Sequence, residues 1–425
     1  MMTGPESGPE SGPDGPLPPG PHPMPLHMAN AQAMALGAPA AALALMQDDD
    51  LMWHPHVKAA AIPLRAACTG LDRSARARLT ATVAARAQAR LQAMLAGVAR
   101  YQASRPTGPA HAATPLATVG GVTLLDHGPV DAPPVMLVPS MVNPARILDL
   151  MPGRSLVGWL REQGWRPLLV DWAGDRFEPD MTLARAVRQR LLPLLDRAVA
   201  LAGGPVPLVG YCMGGTLSVA AAALAPERVS RLALLAAPWR FFMEDEAPAS
   251  AVGGAAARRM SDLMASLPTG SGVPVALLQG FFAGIDPTLM ARKFRRFANL
   301  APDDPAVDFF VALESWANDG APLPVDVARE VLRDWYGANA PARGTWSLDG
   351  APVVPESFGG PVLIAAPARD RLVPPESVRA LLDAFPHART LAPASGHVGM
   401  IVGSGARAGL WSPLTTWLSA ASPSD

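Results

Sequence analysis

The sequence predicts an α/β fold, with a mostly parallel central sheet flanked by helices and a largely helical cap insertion. Three observations predict it. From about residue 116 onward, short apolar runs alternate with amphipathic stretches, the pattern of parallel strands joined by helical crossovers. One run passes directly into Gly210-Tyr211-Cys212-Met213-Gly214-Gly215 and then into an alanine-rich helical stretch, which marks a sharp strand-to-helix turn. After the run ending near Ala236 the alternation stops, and Trp239 to Gly359 reads as a helical cap rich in aromatics, among them Phe294, Phe297, Trp335 and Tyr336.

In chain order, residues 1–26 hold nine prolines and five glycines. They offer too little apolar surface to offset the entropy of ordering, which predicts a disordered tail. Residues 27–115 predict a helical region and a linker. Met28 to Met46 is apolar but alanine-rich, and Asn30, Gln32, Gly37 and Pro39 interrupt it, so a loosely held helix is preferred to a membrane span. Asp72 or Ser74 can cap a helix over 72–102, where Leu79, Val83, Leu91, Met94 and Val98 recur at helical steps. The arginines of that helix, including Arg73, Arg86 and Arg100, read as a solvated cationic face, with docking of an acidic partner or a granule surface as the alternative. The α/β domain then covers 116–425, with the cap at about 239–359. Its expected strands are Val135–Val138, Pro167–Val170, Val206–Gly210, Leu232–Ala236, Val362–Ala366 and Arg389–Ala392. Amphipathic segments lie at Ile147–Gln163, Leu183–Leu201, Thr216–Leu224 and Glu376–Phe385.

The balance of 35 basic against 36 acidic residues argues against a nucleic-acid-binding surface or an acidic tail. Two cysteines, Cys68 and Cys212, are too few to staple 425 residues and suit a reducing compartment. No Lys or Arg precedes Lys58, so the charged start of a secretory signal is missing and a cytoplasmic location is expected. The histidines are scattered, neither cysteine lies in a ligand cluster, and no phosphate loop or dinucleotide fingerprint follows a strand. Neither a metal nor a bound cofactor is expected.

Chemistry in an open parallel sheet collects beyond the carboxyl ends of its strands. Gly210-Tyr211-Cys212-Met213-Gly214 has the spacing of a nucleophile elbow with Cys in place of Ser, and its position between strand and helix makes Cys212 the candidate nucleophile. In the α/β-hydrolase order an acid and then a histidine follow. Only His387 and His397 lie downstream. His397 comes just after the run ending at Ala392, on the active edge, whereas His387 precedes that run. Asp370 follows the run Val362–Ala366 at the same edge and completes a Cys212, His397, Asp370 set. Oxyanion donors are expected from the backbone of Met213 and from the loop Ser140-Met141-Val142-Asn143, with Met141 chosen there.

These motifs together resemble the polyhydroxyalkanoate (PHA) synthase family, whose Gly-x-Cys-x-Gly-Gly appears as Gly210, Cys212, Gly214 and Gly215. Val138-Pro139-Ser140-Met141-Val142-Asn143, Ile147-Leu148-Asp149-Leu150, Ser155-Leu156, Val170-Asp171-Trp172, Asp370 to Pro374 and Gly396-His397 look like further family segments, over about Thr118 to Gly403. The resemblance implies a cytoplasmic acyltransferase, at the surface of storage granules, that polymerises (R)-3-hydroxyacyl units from CoA thioesters. It implies hydroxyacyl-CoA and growing polyester as partners, with CoA thioester as substrate and no other cofactor. Gly396 to Met400 and Leu313 to Trp316 look closer to the branch that works with a second subunit, so a second subunit or a homodimer is left open. Arg292, Lys293, Arg295 and Arg296 could meet CoA phosphates, but a solvated face over core Phe294 and Phe297 is the preferred reading. Two rivals keep the fold. One is a cysteine hydrolase, either thioesterase or polyester depolymerase, and the other is a granule binder without catalysis.

Overall fold

The computed structural model describes residues 20–47, 55–172, 180–242, 257, 259–268 and 270–420. The chain divides into two compact units, Met1–Pro106 with Gln279–Ser315, and Thr107–Leu278 with Trp316–Asp425. The expected domain limits differ from this grouping: part of the cap stretch belongs with the N-terminal helices.

The second unit is built on an eight-stranded sheet. Its strands are β1 (Thr114–Val119), β2 (Val122–Asp126), β3 (Pro134–Val138), β4 (Arg166–Asp171), β5 (Val206–Tyr211), β6 (Val229–Leu235), β7 (Val362–Ala365) and β8 (Arg389–Leu391). The spatial order is β1-β2-β4-β3-β5-β6-β7-β8. β2 pairs antiparallel with β1 and β4, and all the other pairs are parallel. The six apolar runs became β3 to β8. They are continuous because helices cover the central strands on both faces, and every residue of β3 and β5 is buried. β1 and β2 escaped the sequence reading because β1 is a half-exposed edge strand without an apolar run.

The segment Ile147–Gln163 is not one amphipathic helix. A 3₁₀ turn at Ala145–Leu148 leads into a small hairpin, Asp149–Met151 with Arg154–Ser155, and only Leu156–Glu162 is helical. Gly153 takes φ 74° at the hairpin turn. Asp149, 1% exposed, organises the rest. It accepts the Ser155 hydroxyl at 2.6 Å, the His111 N–H at 3.1 Å and His111 Nδ1 at 3.0 Å, while Ser155 Oγ caps the helix by accepting from Gly158 N at 2.7 Å.

Beside this carboxylate lies His127, its Nδ1 3.9 Å from Asp149 Oδ2 and neither ring nitrogen hydrogen-bonded. Burial lowers its pKa below the ordinary 6.5, and the Asp149 charge opposes only part of that. A histidine depressed in the folded state is protonated more readily in the unfolded chain. Its stabilising contribution is therefore present above about pH 6.5 and lost as the pH falls below it. Urea unfolding from pH 7 towards pH 5.5 should show wild type losing stability relative to His127→Phe, by up to about 1.4 kcal/mol per pH unit for one proton. Equal slopes would remove His127 as the cause.

In the first unit, helices span Met24–Gln47, Pro55–Thr69 and Arg73–Gln102. The first begins at Met24, so helix replaces the last residues of the expected tail; residues 1–19 lie outside the described residues. Asp72 caps the third helix through Oδ1, which accepts from Ala75 N at 2.7 Å. Its apolar face, Met94, Val98 and Tyr101, packs with Met290, Phe294, Phe297 and Val311. Gly97 permits the close approach, since a β-carbon there would stand 2.0 Å from Phe294 O. Arg73, Arg86 and Arg90 are exposed, as a solvated face requires. Arg100 is not: it donates to Phe297 O at 3.0 Å and Leu300 O at 2.7 Å, placing a cation on the carbonyls that end helix Leu289–Ala298. Among the described residues no helix is long and apolar enough to cross a membrane.

Candidate active site

The strand register gathers the predicted residues. Val138 is opposite Gly210, Tyr211 opposite Leu235, and Leu235 opposite Ala365, so β3, β5, β6 and β7 end at one edge. β5 leaves that edge through Cys212, which has φ 55° and ψ −130° before the helix Met213–Leu224. Such a backbone costs a β-branched or β-carbon-bearing residue about 1–3 kcal/mol. Hydrogen bonds hold it, from Cys212 N to Leu235 O at 2.9 Å and from Gly215 N to Cys212 O at 2.8 Å.

Each glycine of the elbow has a steric reason. A β-carbon on Gly210 would lie 2.4 Å from Gly215 Cα, and one on Gly215 2.4 Å from Ala237 Cβ. On Gly214 it would stand 2.2 Å from Val138 O and 2.3 Å from Pro139 O. Those carbonyls cannot easily retreat, because Val138 is central strand and Pro139 O accepts Trp172 Nε1 at 3.0 Å. Gly214→Ala should therefore cost about 3 kcal/mol in urea unfolding and depress turnover as the elbow shifts. Wild-type stability in that variant would contradict the close approach.

Asp370 and His397 are brought together by two loops that run side by side past the sheet. Ala366 N donates to Leu391 O at 2.9 Å, Ala368 N to Pro393 O at 2.9 Å and Arg369 N to Ser395 O at 3.0 Å. Asp370 Oδ1 accepts from Leu372 N and Val373 N, both at 2.9 Å, which leaves Oδ2 for His397 Nδ1 at 2.7 Å. With Nδ1 committed to Asp370, the ring's other nitrogen is the one left for Cys212. Burial pulls the His397 pKa down, but the Cys212 charge and the hydrogen bonds to Asp370 and Cys212 outweigh it and raise the ring to about 10. His387, by contrast, is exposed.

Met213 opens the helix after Cys212, where backbone N–H groups lack intrahelical partners. In the loop after β3, Ser140 Oγ takes the Val142 N–H at 3.2 Å, which removes Val142 as a donor and leaves Met141 beside it. The close approach of Gly214 to Val138 and Pro139 sets this loop against the elbow. Such an arrangement of thiol, imidazole, carboxylate and backbone donors suits acyl transfer through a covalent thioester.

Two side chains at the site were not singled out as site residues from sequence. Tyr211, 3% exposed, lies on the His397 ring with centroids 5.1 Å apart and planes 31° apart. Tyr336 comes from the insertion; burial, and then the Cys212 charge, push its phenol up to about 12. Its ring meets Phe241 at 5.0 Å, and Phe241 stacks on Trp335 at 5.3 Å. Buried Asn339 pins this wall, accepting from Phe241 N at 2.9 Å and donating to Phe242 O at 3.2 Å. Adjacency to Cys212 could have signalled Tyr211, whereas nothing in the sequence pattern marks Tyr336 or Asn339. In the basic quartet, Phe294 and Phe297 are fully buried and Lys293 pairs with Glu314 at 2.7 Å. Among the described residues no group of three or more His, Cys, Asp or Glu side chains could hold a metal ion.

A family model described as alpha/beta hydrolase fold matches residues 197–404. The chain is similar to the poly(3-hydroxyalkanoate) polymerase subunit PhaC of Haloferax mediterranei, with 32% identity over 67% of this chain and 58% of that protein. It is 31% identical to the protein of the same name from Haloarcula marismortui, over 71% of this chain and 64% of that one. To the one from Allochromatium vinosum it is 27% identical, over 67% of this chain and 80% of that one. The chain thus spans about three fifths of the first two relatives' length.

Proposed function

We propose that this chain, a member of the polyhydroxyalkanoate synthase family within the α/β-hydrolase superfamily, is an acyltransferase that builds polyester from (R)-3-hydroxyacyl-CoA and releases CoA. The observation that carries this reading is His397, hydrogen-bonded to Asp370 at 2.7 Å and within reach of the Cys212 charge at the elbow. Asp370 fixes the tautomer and orientation of the imidazole. The Cys212 thiolate attacks the thioester carbonyl, and the N–H groups of Met213 and Met141 receive the developing oxyanion. As the tetrahedral species collapses, the CoA sulfur leaves with the proton from His397, and the acyl group stays on Cys212. His397, now neutral, takes the proton of the incoming 3-hydroxyl. That oxygen attacks the acyl-cysteine and the Cys212 thiolate is released. The cycle needs no bound cofactor, since the CoA thioester is the substrate.

Fold and triad serve a water acceptor equally well, so the choice of acceptor rests on two other supports. The relatives in sequence are named as polymerases. Tyr336, which feels the Cys212 charge and packs through Phe241 onto Trp335, supplies an apolar neighbour that would disfavour water as the nucleophile. Those relatives are also named as subunits, and the reading includes a partner, either a second subunit or another copy, with work at the granule surface.

Purified protein supplied with (R)-3-hydroxybutyryl-CoA and with a longer 3-hydroxyacyl-CoA should release CoA and form insoluble polyester, measured as free thiol and product chain length. CoA release with monomeric acid as the only product would make it a thioesterase. Granule coating without CoA release would make it a binder.

A further inference from the structure

Tyr211 occupies a place in the site that the acyl-transfer scheme does not use. It is the last residue of β5, it directly precedes Cys212, and its backbone is fixed in register with Leu235. The chain turns at Cys212, while the Tyr211 ring stays buried against His397, 5.1 Å between centroids and 31° between planes. Its hydroxyl donates to His397 O at 3.5 Å, a long contact, so the ring supplies most of the hold. We propose that Tyr211 is a positioning residue for His397, its aromatic face setting the imidazole against Cys212 and favouring the charged ring.

Two physical effects support this. One rigid strand end carries both the nucleophile and the platform under its base, so the spacing between them does not depend on how the loop at 392–396 moves. An aromatic face also attracts a cation more than a neutral ring, and the attraction is larger when both are desolvated. The groups that titrate around the His397 ring are Cys212, Asp370 and the Tyr211 phenol itself. The phenol stays neutral, because burial pushes its pKa well up. An aliphatic side chain at 211 would fill the space without offering a π face.

The inference rests on the Cys212–His397 pair and is tested without assuming what accepts the acyl group. Full-length protein carrying Cys68→Ala is alkylated with iodoacetamide from about pH 5 to about pH 9, as Tyr211, Tyr211→Phe, Tyr211→Leu and His397→Ala, with circular dichroism as the check on folding. Tyr211→Phe should stay within about twofold of the parent at every pH. Tyr211→Leu should react about tenfold more slowly near pH 7, with its rate rising only at higher pH. A Leu variant with the parent's profile, beside a slowed His397→Ala, would overturn the role of Tyr211 alone, and so would a Phe variant as slow as Leu. An unchanged His397→Ala profile would overturn the Cys–His pairing itself. If Tyr211→Leu does not fold, Tyr211→Met is judged by the same criterion.

Discussion

Cys212→Ala should lower CoA release from a 3-hydroxyacyl-CoA by at least about 10⁴-fold, to background, while the protein keeps its fold. On the proposed mechanism the loss is that large because the imidazole, carboxylate and backbone donors would all act on an acyl group that only the sulfur can hold. The fold survives because alanine keeps the β-carbon, and the elbow is held by backbone bonds from Cys212 N and Gly215 N and by the glycines around it. The same variant makes an electrostatic prediction. The Cys212 charge helps to raise His397 to about 10, and without it burial is opposed by Asp370 and the Tyr211 face, so the ring should titrate lower in the variant. Thiol assays on purified protein and an NMR titration of the imidazole check the two halves. Turnover above a few per cent of wild type would show that another group carries the acyl chain. Cys68→Ala is the control: that thiol is buried in the other compact unit, and its loss should leave turnover within about twofold.

The sheet, and the meeting of the three candidate residues at one end of it, are legible in the sequence because local rules write them. β3 to β7 announce themselves as apolar runs, since strands buried on both faces carry no alternation, whereas β8 is a short, mostly exposed edge strand. Gly210, Gly214 and Gly215 were legible because backbone atoms approach each position too closely for a β-carbon. Asp370 and His397 followed from chain order at strand ends. What could not be read was set by tertiary contact. The helical pattern of Ile147 to Gln163 gave way to a hairpin because buried Asp149 ties together Ser155 and His111, the latter 38 residues earlier in the chain. The sequence assigns Arg100 to a solvated face, but its bonds to the carbonyls of Phe297 and Leu300 are contacts far along the chain that no local pattern encodes. Tyr336 and Asn339 reach their places through an insertion whose packing no periodicity encodes.

His397→Ala should cost about 10³- to 10⁴-fold in turnover, whereas His387→Ala should change it less than about twofold. His387 is exposed before β8, so it can touch neither Cys212 nor Asp370 by the register of the sheet. His397 follows β8 at the other end, where the paired loops carry it to Asp370 Oδ2 at 2.7 Å. On the proposed mechanism, removing the imidazole would leave Cys212 without its cation and without the base for the incoming hydroxyl, so both halves of the cycle should slow together. It also strands Asp370, a buried carboxylate that keeps only the Leu372 and Val373 N–H groups, and some loss of stability should accompany the loss of rate. Rate and stability can be separated with His397→Gln, whose amide can donate to Asp370 yet cannot carry a proton. It should recover most of the stability lost in His397→Ala and none of the turnover. If Gln restored turnover as well, the contribution of His397 would be structural and the base would have to lie elsewhere.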